Sequence, residues 1–197
     1  MRIVVASNPK AVPQSDEEML TRLRQGDRSA MNELFLRHRA ACYRVAFRLL
    51  GNEADALDAV QNGFIKAFLN LAGFEGRSSL KTWLLRVVSN AALDLGRQRG
   101  RREERGLNDE LDRLNEIAVP QVDPGWQLDR DDLRRLLDQA LMQLPEAQRR
   151  TFVLHVDGGL SYREVAEALD ISIGTVMSRL FYARQKLRAY LADRWPR

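Results

Sequence analysis

The chain has 197 residues, of which 45% are apolar and 29% charged, and it carries a net charge of +4. This composition is typical of soluble globular material, and the length allows one ordinary domain or two small ones. Apolar runs are only a few residues long, far below the roughly 20 needed to span a bilayer. The short apolar run near the N-terminus is not long enough for a signal peptide, so we expect a cytoplasmic protein.

Charge is distributed unevenly along the chain. Residues 15–100 carry 13 basic and 10 acidic groups, and residues 129–197 carry 12 and 10, whereas residues 101–128 carry 4 basic and 7 acidic groups. Two net-basic blocks are thus separated by a net-acidic segment. Mild positive charge on each block is compatible with binding to nucleic acid, although it does not establish that function by itself.

Patterns for catalysis and metal binding are absent from the sequence. Its two histidines, His38 and His155, lie far apart, and the single cysteine, Cys42, can form neither an internal disulfide nor a cysteine cluster. Neither an H-E-x-x-H motif nor a phosphate-binding G-x-x-x-x-G-K-[ST] loop occurs. We therefore expect no enzyme activity, no metal, no cofactor and no small-molecule substrate.

Apolar residues recur at intervals of three and four, and strand patterns are almost missing, so we predict an all-α fold. Four helices are predicted in the N-terminal block, at about residues 15–26, 29–50, 54–71 and 80–99. Ser15 and Glu18 form a capping box at the first of them. Cys42 lies on the apolar stripe of the second, where a small buried side chain is favoured over a reactive thiol.

The segment 101–128 has the composition of a linker. It contains two prolines and two glycines among charged residues, and only one short helix, at about 108–116, is predicted within it. We therefore expect two small helical domains, at 15–100 and 129–197, joined by a flexible linker and preceded by a flexible N-terminus, residues 1–14.

The C-terminal block contains a compact two-helix motif. It follows a helix predicted at about 128–144 and another that starts at Pro145 as its first residue. Ser161 and Glu164 form a capping box for a short helix, and after a turn of a few residues Ser172 caps a longer one. This arrangement predicts a helix-turn-helix, whose second helix meets base edges in the major groove.

The outward positions of that second helix carry groups that can contact DNA. They are Thr175, Met177, Ser178, Arg179, Phe181 and Tyr182. Hydroxyls and arginine bond bases or phosphates, whereas methionine and aromatic rings can touch thymine methyl groups. A helical hairpin with a solvated basic face is the alternative interpretation. The capping box, the short turn and the helix length together favour DNA binding.

Three segments resemble parts of the extracytoplasmic-function (ECF) sigma factors of bacterial RNA polymerase. LPEAQRRTFVLHVDGGLSYREVAEALDISIGTVMSRLFYARQKL resembles region four, which binds the minus-thirty-five promoter element. DALDAVQNGFIKAF resembles the region two helix that binds the clamp of core polymerase. FEGRSSLKTWLLRVVSNAALDLGRQRGRR resembles the loop and helix that open and bind the minus-ten element. The likeness covers about residues 15–100 and 129–191, in the expected order.

The resemblance implies roles for individual residues. Core polymerase would contact Asp55, Asp58, Gln61 and Asn62. The minus-ten strand would contact Phe74, Gly76, Arg77, Ser78, Ser79, Lys81, Arg86, Asn90, Arg97, Arg99, Arg101 and Arg102. The resemblance implies that the loop at residues 74–81 binds a base flipped out of this strand, and that the Asn90 amide reaches the edge of that base. The residues alone also allow ordinary polar helix faces, with basic charge complementing a helix C-terminus. Trp83 fits the core better than a stacking position.

In region four, the implied contacts to the minus-thirty-five element are His155, Ser172, Thr175, Met177, Ser178, Arg179, Phe181, Tyr182 and Lys186. The chain departs from the family pattern at several of these positions. Met177 and Tyr182 stand where the family often has arginine, and His155 stands where an arginine often contacts phosphate. In region two, Asn62 replaces a usual glutamate, and Gly63 is expected to weaken the helix by up to about 1 kcal/mol against alanine. We therefore expect the fold to be kept but the promoter preference to differ.

The resemblance implies an alternative sigma factor whose partners are core RNA polymerase, promoter DNA and an anti-sigma factor, which in this family is often membrane-anchored. Such a factor would open promoters with binding energy, and no catalytic residue is expected. Two alternatives remain from the residues alone. One is a stand-alone helix-turn-helix regulator with an N-terminal sensing or dimerising domain. The other is a protein-interaction module that binds no DNA.

Overall fold

The structure is a computed structural model that describes residues 16–104 and 130–194, with side chains for 16–101 and 133–194. Throughout these ranges the regular structure is helical, as the apolar spacing predicted. The eight α-helices are α1 (Asp16–Arg24), α2 (Arg28–Leu50), α3 (Glu53–Leu69), α4 (Leu80–Glu104), α5 (Arg130–Met142), α6 (Glu146–Val156), α7 (Tyr162–Leu169) and α8 (Ile173–Ala192). The all-α prediction is therefore confirmed.

Helices α2, α3 and α4 form the centre of the N-terminal half. Their apolar stripes meet in one core that includes Leu34, Phe64 and Leu84, each at most 4% exposed. Gly63 lies where α3 approaches α4, and a Cβ atom placed there would be 2.6 Å from Val88 Cγ2 and 3.0 Å from Val88 Cα. The glycine that the sequence marks as a weak point in the helix thus permits this close approach.

Helices α6, α7 and α8 form the C-terminal half, with α5 packed against α8. The Ser161 side chain accepts from the backbone N–H of Glu164, and the Glu164 carboxylate accepts from that of Ser161, so the predicted capping box is present. Asp170 ends α7 in the left-handed region, at φ 53°. Ser172 then caps α8 by accepting from the Thr175 N–H. The predicted helix-turn-helix is confirmed.

Several predicted helix ends are shifted, by one to five residues. The fourth helix continues beyond residue 99 to Glu104, because the arginines and glutamates after Gly100 are good helix formers. The third ends at Leu69, where the Asn70 side chain bonds to the Lys66 carbonyl oxygen at 2.8 Å. Pro145 lies one residue before α6, with an extended ψ of 140°.

Some predictions concern residues outside the described ranges. They include the N-terminus 1–14, the cap formed by Ser15, the short helix at 108–116, and the linker beyond residue 104.

The two halves of the chain pack against each other. Helix α2 contacts α5 and α6, α4 contacts α7, and one hydrophobic core extends across the junction. Arg48 of α2 forms ion pairs with Asp138 of α5 and, at 3.6 Å, with Asp157 beside α6. The two basic blocks of the sequence therefore lie side by side, and surfaces near their junction are covered.

Within the described residues, no helix is both long and apolar enough to span a membrane. The same part of the chain contains no cluster of three or more side chains suited to holding a metal ion. Cys42 is buried, and burial raises the pKa of its thiol to about 12. A thiol with so high a pKa is unreactive at neutral pH, in agreement with a packing role.

Candidate nucleic-acid interface

The core side of α8 anchors the helix-turn-helix. Val176 and Leu180 are fully buried in one core with Ala166 of α7, which is 7% exposed, and Ala183 is fully buried in a second cluster with Leu141 of α5. The turn is closed by a hydrogen bond of 3.0 Å from the Ile171 N–H to the Ala166 carbonyl. The opposite side of α8 is therefore held outward by a rigid support.

Most predicted minus-thirty-five contacts lie on that outward side. Those exposed to solvent are Ser172, Met177, Ser178, Phe181, Tyr182 and Lys186, whereas Thr175 and Arg179 are half-buried. The rings of Phe181 and Tyr182 meet edge to face, with centroids 5.4 Å apart. The surface combines apolar side chains with a few hydroxyls and cations, and it is accessible to a duplex.

His155 is held mainly by contacts inside the C-terminal half. Its Nδ1 is 2.7 Å from the Leu160 carbonyl oxygen, and its ring meets Tyr162 edge to face at 4.9 Å. Because a carbonyl only accepts, Nδ1 must carry the proton. Nε2 can bind a phosphate oxygen only when it also carries a proton, so the imidazole is a weaker phosphate contact than an arginine.

The minus-ten loop between α3 and α4 divides into a buried and an exposed part. Phe74 is 4% exposed and packs on Trp83 with ring centroids 5.1 Å apart. This apolar ring anchors the loop to the core and presents little surface to solvent, so its role as a DNA contact stays a prediction that requires the loop to move. Gly76 adopts φ +73° at the exposed tip, beside the exposed Arg77. Such a backbone favours glycine.

The loop serines support the start of α4. Ser79 Oγ accepts a hydrogen bond of 3.0 Å from the Thr82 N–H, and Ser78 is half-buried beside it. This hydrogen bond satisfies one backbone N–H in the first turn of α4 from within the loop.

Several predicted minus-ten residues of α4 contact the C-terminal half. The Asn90 amide oxygen accepts from Arg150, which also donates to Ser89 Oγ at 3.2 Å. Arg97 pairs with Glu146 at 2.8 Å. Lys81 Nζ is 3.5 Å from a backbone carbonyl oxygen in the loop before α7. These three predicted minus-ten residues are thus engaged by the other half of the chain.

The remaining α4 predictions differ in accessibility. Arg86 and Arg101 are exposed, and the Arg102 side chain lies outside the described side chains. Arg99 is half-buried and pairs with Asp55 at 3.0 Å. This ion pair joins two residues predicted for different partners, Asp55 for polymerase and Arg99 for DNA, and it links α3 to the end of α4.

Electrostatics favours the contacts between the halves. The hydrogen bond from Arg97 lowers the pKa of Glu146. Bonds from Ser161, and a weaker contribution from Thr82 of α4 at 3.0 Å, lower the pKa of Glu164. Burial lowers the pKa of Arg150, so its hydrogen bonds to α4 offset part of a desolvation cost.

A cleft of about 390 Å³ opens beside Asn90, between the end of α3 and the exposed side of α4. Its walls are Lys66, Asn70, Gly73, Trp83, Val87, Asn90 and Asp94. An aromatic wall and several hydrogen-bonding groups suit a nucleobase. Trp83 thus contributes both to the core and to this cleft. Lys66, Asn70 and Asp94 were missed by the sequence analysis, because α3 and α4 bring them together only in the folded chain.

The outer side of α3 carries the predicted polymerase contacts. Asp58, Gln61 and Asn62 are exposed, whereas Asp55 is half-buried in its ion pair. The sequence analysis overlooked three apolar side chains beside them, Leu57, Ile65 and Leu69, which are 53%, 48% and 79% exposed. With Gln61 they recur every four residues, a spacing that places them on one side of a helix. This regular spacing could have indicated the exposed apolar side chains from the sequence alone.

Comparisons with known proteins match both halves of the chain. The model for Sigma-70 region 2 matches residues 34–102, and the model for Sigma-70, region 4 matches residues 134–187. The chain is 38% identical over 172 residues to the ECF RNA polymerase sigma factor SigE of Mycolicibacterium smegmatis, covering 85% of this chain and 65% of that protein. It is 32% identical to the ECF RNA polymerase sigma-E factor of Escherichia coli, over 88% of this chain and 92% of that protein.

Two solved structures resemble the whole fold. CnrH in complex with the cytosolic domain of CnrY has a TM-score of 0.68 at 26% identity, over 91% of this chain and 99% of that one. The sigma factor RpoE in complex with the anti-sigma factor NepR from Bartonella quintana has a TM-score of 0.63 at 28% identity, over 82% and 96%.

Proposed function

Because the chain belongs to the ECF subfamily of sigma-70 factors, which direct transcription initiation, we propose that α3, α4 and α8 carry its polymerase and promoter contacts. The chain is an alternative sigma factor. In this assignment α3 binds core polymerase, α4 and its preceding loop bind the minus-ten strand, and α8 binds the minus-thirty-five duplex. The observation that carries the assignment is the outward side of α8, which stays exposed while its opposite side is fully packed.

For the minus-thirty-five element, we infer insertion of the first turns of α8 into the major groove. The exposed cations Arg184, Lys186 and Arg188 follow along the same helix and suit contacts to phosphates. The capped N-terminus of α8 adds backbone dipoles that favour an anion. Sequence preference then comes from the exposed side chains of the first turns.

For the minus-ten element, we infer capture of an unpaired base in the cleft beside Asn90. The Asn90 amide offers both donors and an acceptor to a base edge once it is released from Arg150. Release requires the two halves of the chain to separate, which binding to core polymerase would favour. Binding energy rather than a catalytic group then drives promoter opening, so the protein itself is not an enzyme.

The polymerase contact on α3 combines polar and apolar groups. Asp58 and Gln61 provide charge and hydrogen bonds, and Leu57, Ile65 and Leu69 provide apolar area next to them. Exposed apolar side chains of this kind are typical of protein interfaces. Loss of one such side chain should weaken the holoenzyme without unfolding the free protein.

Regulation by an anti-sigma factor follows from the same family membership. CnrH is seen in complex with the cytosolic domain of CnrY, and RpoE in complex with the anti-sigma factor NepR. We propose that this chain works in the cytoplasm and is held by an anti-sigma factor, which in this family is often anchored in the membrane.

Run-off transcription with purified core polymerase tests the proposed function. Promoter-specific transcripts that require this protein are expected. Binding to duplex DNA without core, and no transcripts, would instead indicate a stand-alone regulator. If neither DNA nor core binds, a protein-interaction module is the better description.

A matched pair of leucine variants tests the α3 contact. Leu57→Ala should lower affinity for core by about tenfold, the size of effect expected for an interface residue worth roughly 1–2 kcal/mol. Leu36→Ala, on α2, removes a leucine of similar exposure, 52% against 53%, and should leave affinity unchanged. Equal affinities for the two variants would contradict the proposed α3 interface.

A further inference from the structure

An apolar ridge runs along the exposed side of α8. Ile173, Met177 and Phe181 follow one another at intervals of four residues, with Tyr182 beside them, and their exposed fractions are 44%, 56%, 63% and 52%. Side chains four residues apart lie on one side of a helix. These are four of the eleven exposed large apolar side chains in the described part of the chain, gathered within ten residues. Such a concentration marks a binding surface.

The ridge has few of the groups that bind guanine. In the major groove, guanine is bound by arginine or lysine at its O6 and N7 atoms, whereas thymine presents a C5-methyl group. Within 173–182 the only cation is Arg179, which is half-buried, and the only exposed hydroxyls are those of Ser178 and Tyr182. Ser178 Oγ already donates to the Thr175 carbonyl at 3.0 Å. The most accessible groups are therefore apolar.

The dimensions of the ridge suit a short run of base pairs. The eight helical steps from Ile173 to Phe181 extend about 12 Å, which spans three to four base pairs stacked at about 3.4 Å. The Phe181 and Tyr182 rings meet at an interplanar angle of 78°, so each ring restricts the other. The ridge thus presents a preformed apolar surface of the right length.

We propose that Met177, Phe181 and Tyr182 contact thymine methyl groups, so that the minus-thirty-five element of this sigma factor is rich in A·T pairs beneath the ridge. The proposal rests on the proposed function and specifies the DNA that α8 accepts. Exposed cations farther along α8 hold the phosphates, and the ridge distinguishes thymine from cytosine by the methyl group. Arginine in place of Met177 or Tyr182 would restore guanine binding.

Selection from a promoter library tests the base preference. Holoenzyme reconstituted from core and the full chain transcribes templates randomised across the minus-thirty-five region, and the transcribed templates are sequenced. The wild type should enrich thymine or adenine over three to four adjacent positions. M177R and Y182R should each shift one position toward guanine. Leu133→Ala, which removes an exposed apolar residue of α5, should select the same element as wild type.

Replacing single thymines by deoxyuridine isolates the methyl group, because nothing else in the base pair changes. Each such replacement beneath the ridge should lower holoenzyme affinity about three- to fourfold, the expected effect of one buried methyl group. The M177A protein should be insensitive at the position that Met177 contacts. Replacement of thymines outside the element should have no effect.

The possible outcomes distinguish failure of the proposed sigma-factor function from failure of the proposed thymine contacts. Absence of any promoter-specific transcript contradicts the proposed function. Specific transcription with guanine-rich elements overturns the ridge proposal alone, as does equal affinity for thymine and deoxyuridine templates. An anti-sigma factor that binds the ridge while deoxyuridine has no effect would assign the ridge to that protein partner instead.

Discussion

The two surfaces predicted to bind promoter DNA differ in whether their side chains bond to the other half of the chain. On α4, Lys81, Asn90 and Arg97 each contact the C-terminal half. On α8, the side chains of Met177 and Phe181 extend into solvent and are more than half exposed. The predicted duplex-binding side chains are therefore unengaged by the other half, whereas the predicted minus-ten groups Asn90 and Arg97 remain exposed but have hydrogen bonds to the C-terminal half. The difference indicates that binding to the minus-thirty-five duplex needs no rearrangement, but capture of a minus-ten base requires the halves to separate.

The chemistry of the two surfaces explains the difference. The α4 surface consists of hydrogen-bonding and charged groups, and Arg150 and Glu146 provide partners of matching chemistry. The groups engaged in this way have hydrogen bonds in the closed arrangement, although Arg150 Nε is buried there without a partner. Opening then exchanges protein contacts for contacts with polymerase and DNA.

The largest expected effect comes from Gly63, which lies in the N-terminal half where α3 packs against α4. Gly63→Ala should lower the free energy of unfolding by about 1–3 kcal/mol, because the new Cβ meets Val88 and overpacks the α3–α4 contact. Urea unfolding followed by circular dichroism measures this change. At temperatures where the variant is folded, binding of the minus-thirty-five duplex should be unchanged.

A second helical glycine provides the control for this prediction. Nothing lies within 4 Å of a Cβ placed at Gly100 of α4, so Gly100→Ala should be neutral or stabilising by up to about 1 kcal/mol. Adding Val88→Ala to Gly63→Ala should recover part of the loss by making room. If Gly63→Ala stabilises the protein as much as Gly100→Ala does, close packing is not the reason for glycine at position 63.

The next largest effect is expected from Arg150, which donates a hydrogen bond to Asn90. Arg150→Ala should raise the affinity of the free protein for a single-stranded minus-ten oligonucleotide by roughly tenfold, since one charged hydrogen-bond partner worth about 1.4 kcal/mol is lost from the closed arrangement. Fluorescence anisotropy with the labelled non-template strand measures it.

The neighbouring arginine is a matched control. Arg149 is also half-buried, but its hydrogen bonds are to Met142 within the C-terminal half. Arg149→Ala should therefore leave single-strand affinity near the wild-type value, and neither variant should alter duplex binding by α8. A similar gain in both variants would mean that Arg150 does not control access to the α4 surface.

Features that depend on neighbours in sequence were predictable. The capping box of Ser161 and Glu164, and the cap at Ser172, involve residues only three positions apart, so their spacing is visible in the chain. The periodic apolar stripes likewise predicted the helices and the helix-turn-helix. The missed stripe of Leu57, Ile65 and Leu69 belongs to this class, because its period of four was present in the sequence.

Features that depend on distant residues were not predictable from one sequence. Glycine is favoured at position 63 because Val88, on another helix, leaves no room for a Cβ atom there. Asn90 bonds to Arg150 from the other half of the chain. Phe74 was assigned to DNA by the family resemblance, and its packing on Trp83 was not predicted. For Gly63 and Asn90 the deciding partner lies far along the chain, so local sequence patterns do not reveal it.

The smallest expected effect is the response of the closed arrangement to pH. Glu146 accepts from Arg97, and Glu164 accepts from Thr82, so each carboxylate joins the two halves. The pKa of each is lowered below its ordinary 4.5. For Glu146, whose pKa is lowered chiefly by Arg97, and for the lesser part of the Glu164 shift that comes from Thr82, the ionised form favours closure. That contribution is complete above about pH 4.5 and is lost as pH falls through the lowered pKa values.

Fluorescence energy transfer between labels on the two halves, from pH 7 to pH 3.5, should therefore show separation beginning only below about pH 4.5. The Glu146 side chain is 46% exposed, so solvent screening keeps its share small. The bonds between Glu164 and Ser161 persist in the open form, so they add nothing to the pH response of closure. The double variant Glu146→Gln and Glu164→Gln retains an acceptor for the capping box but has no carboxylate to titrate. Its halves should be partly separated at neutral pH and less sensitive to acid. An unchanged acid transition in that variant would show that other carboxylates, such as those paired with Arg48, govern closure.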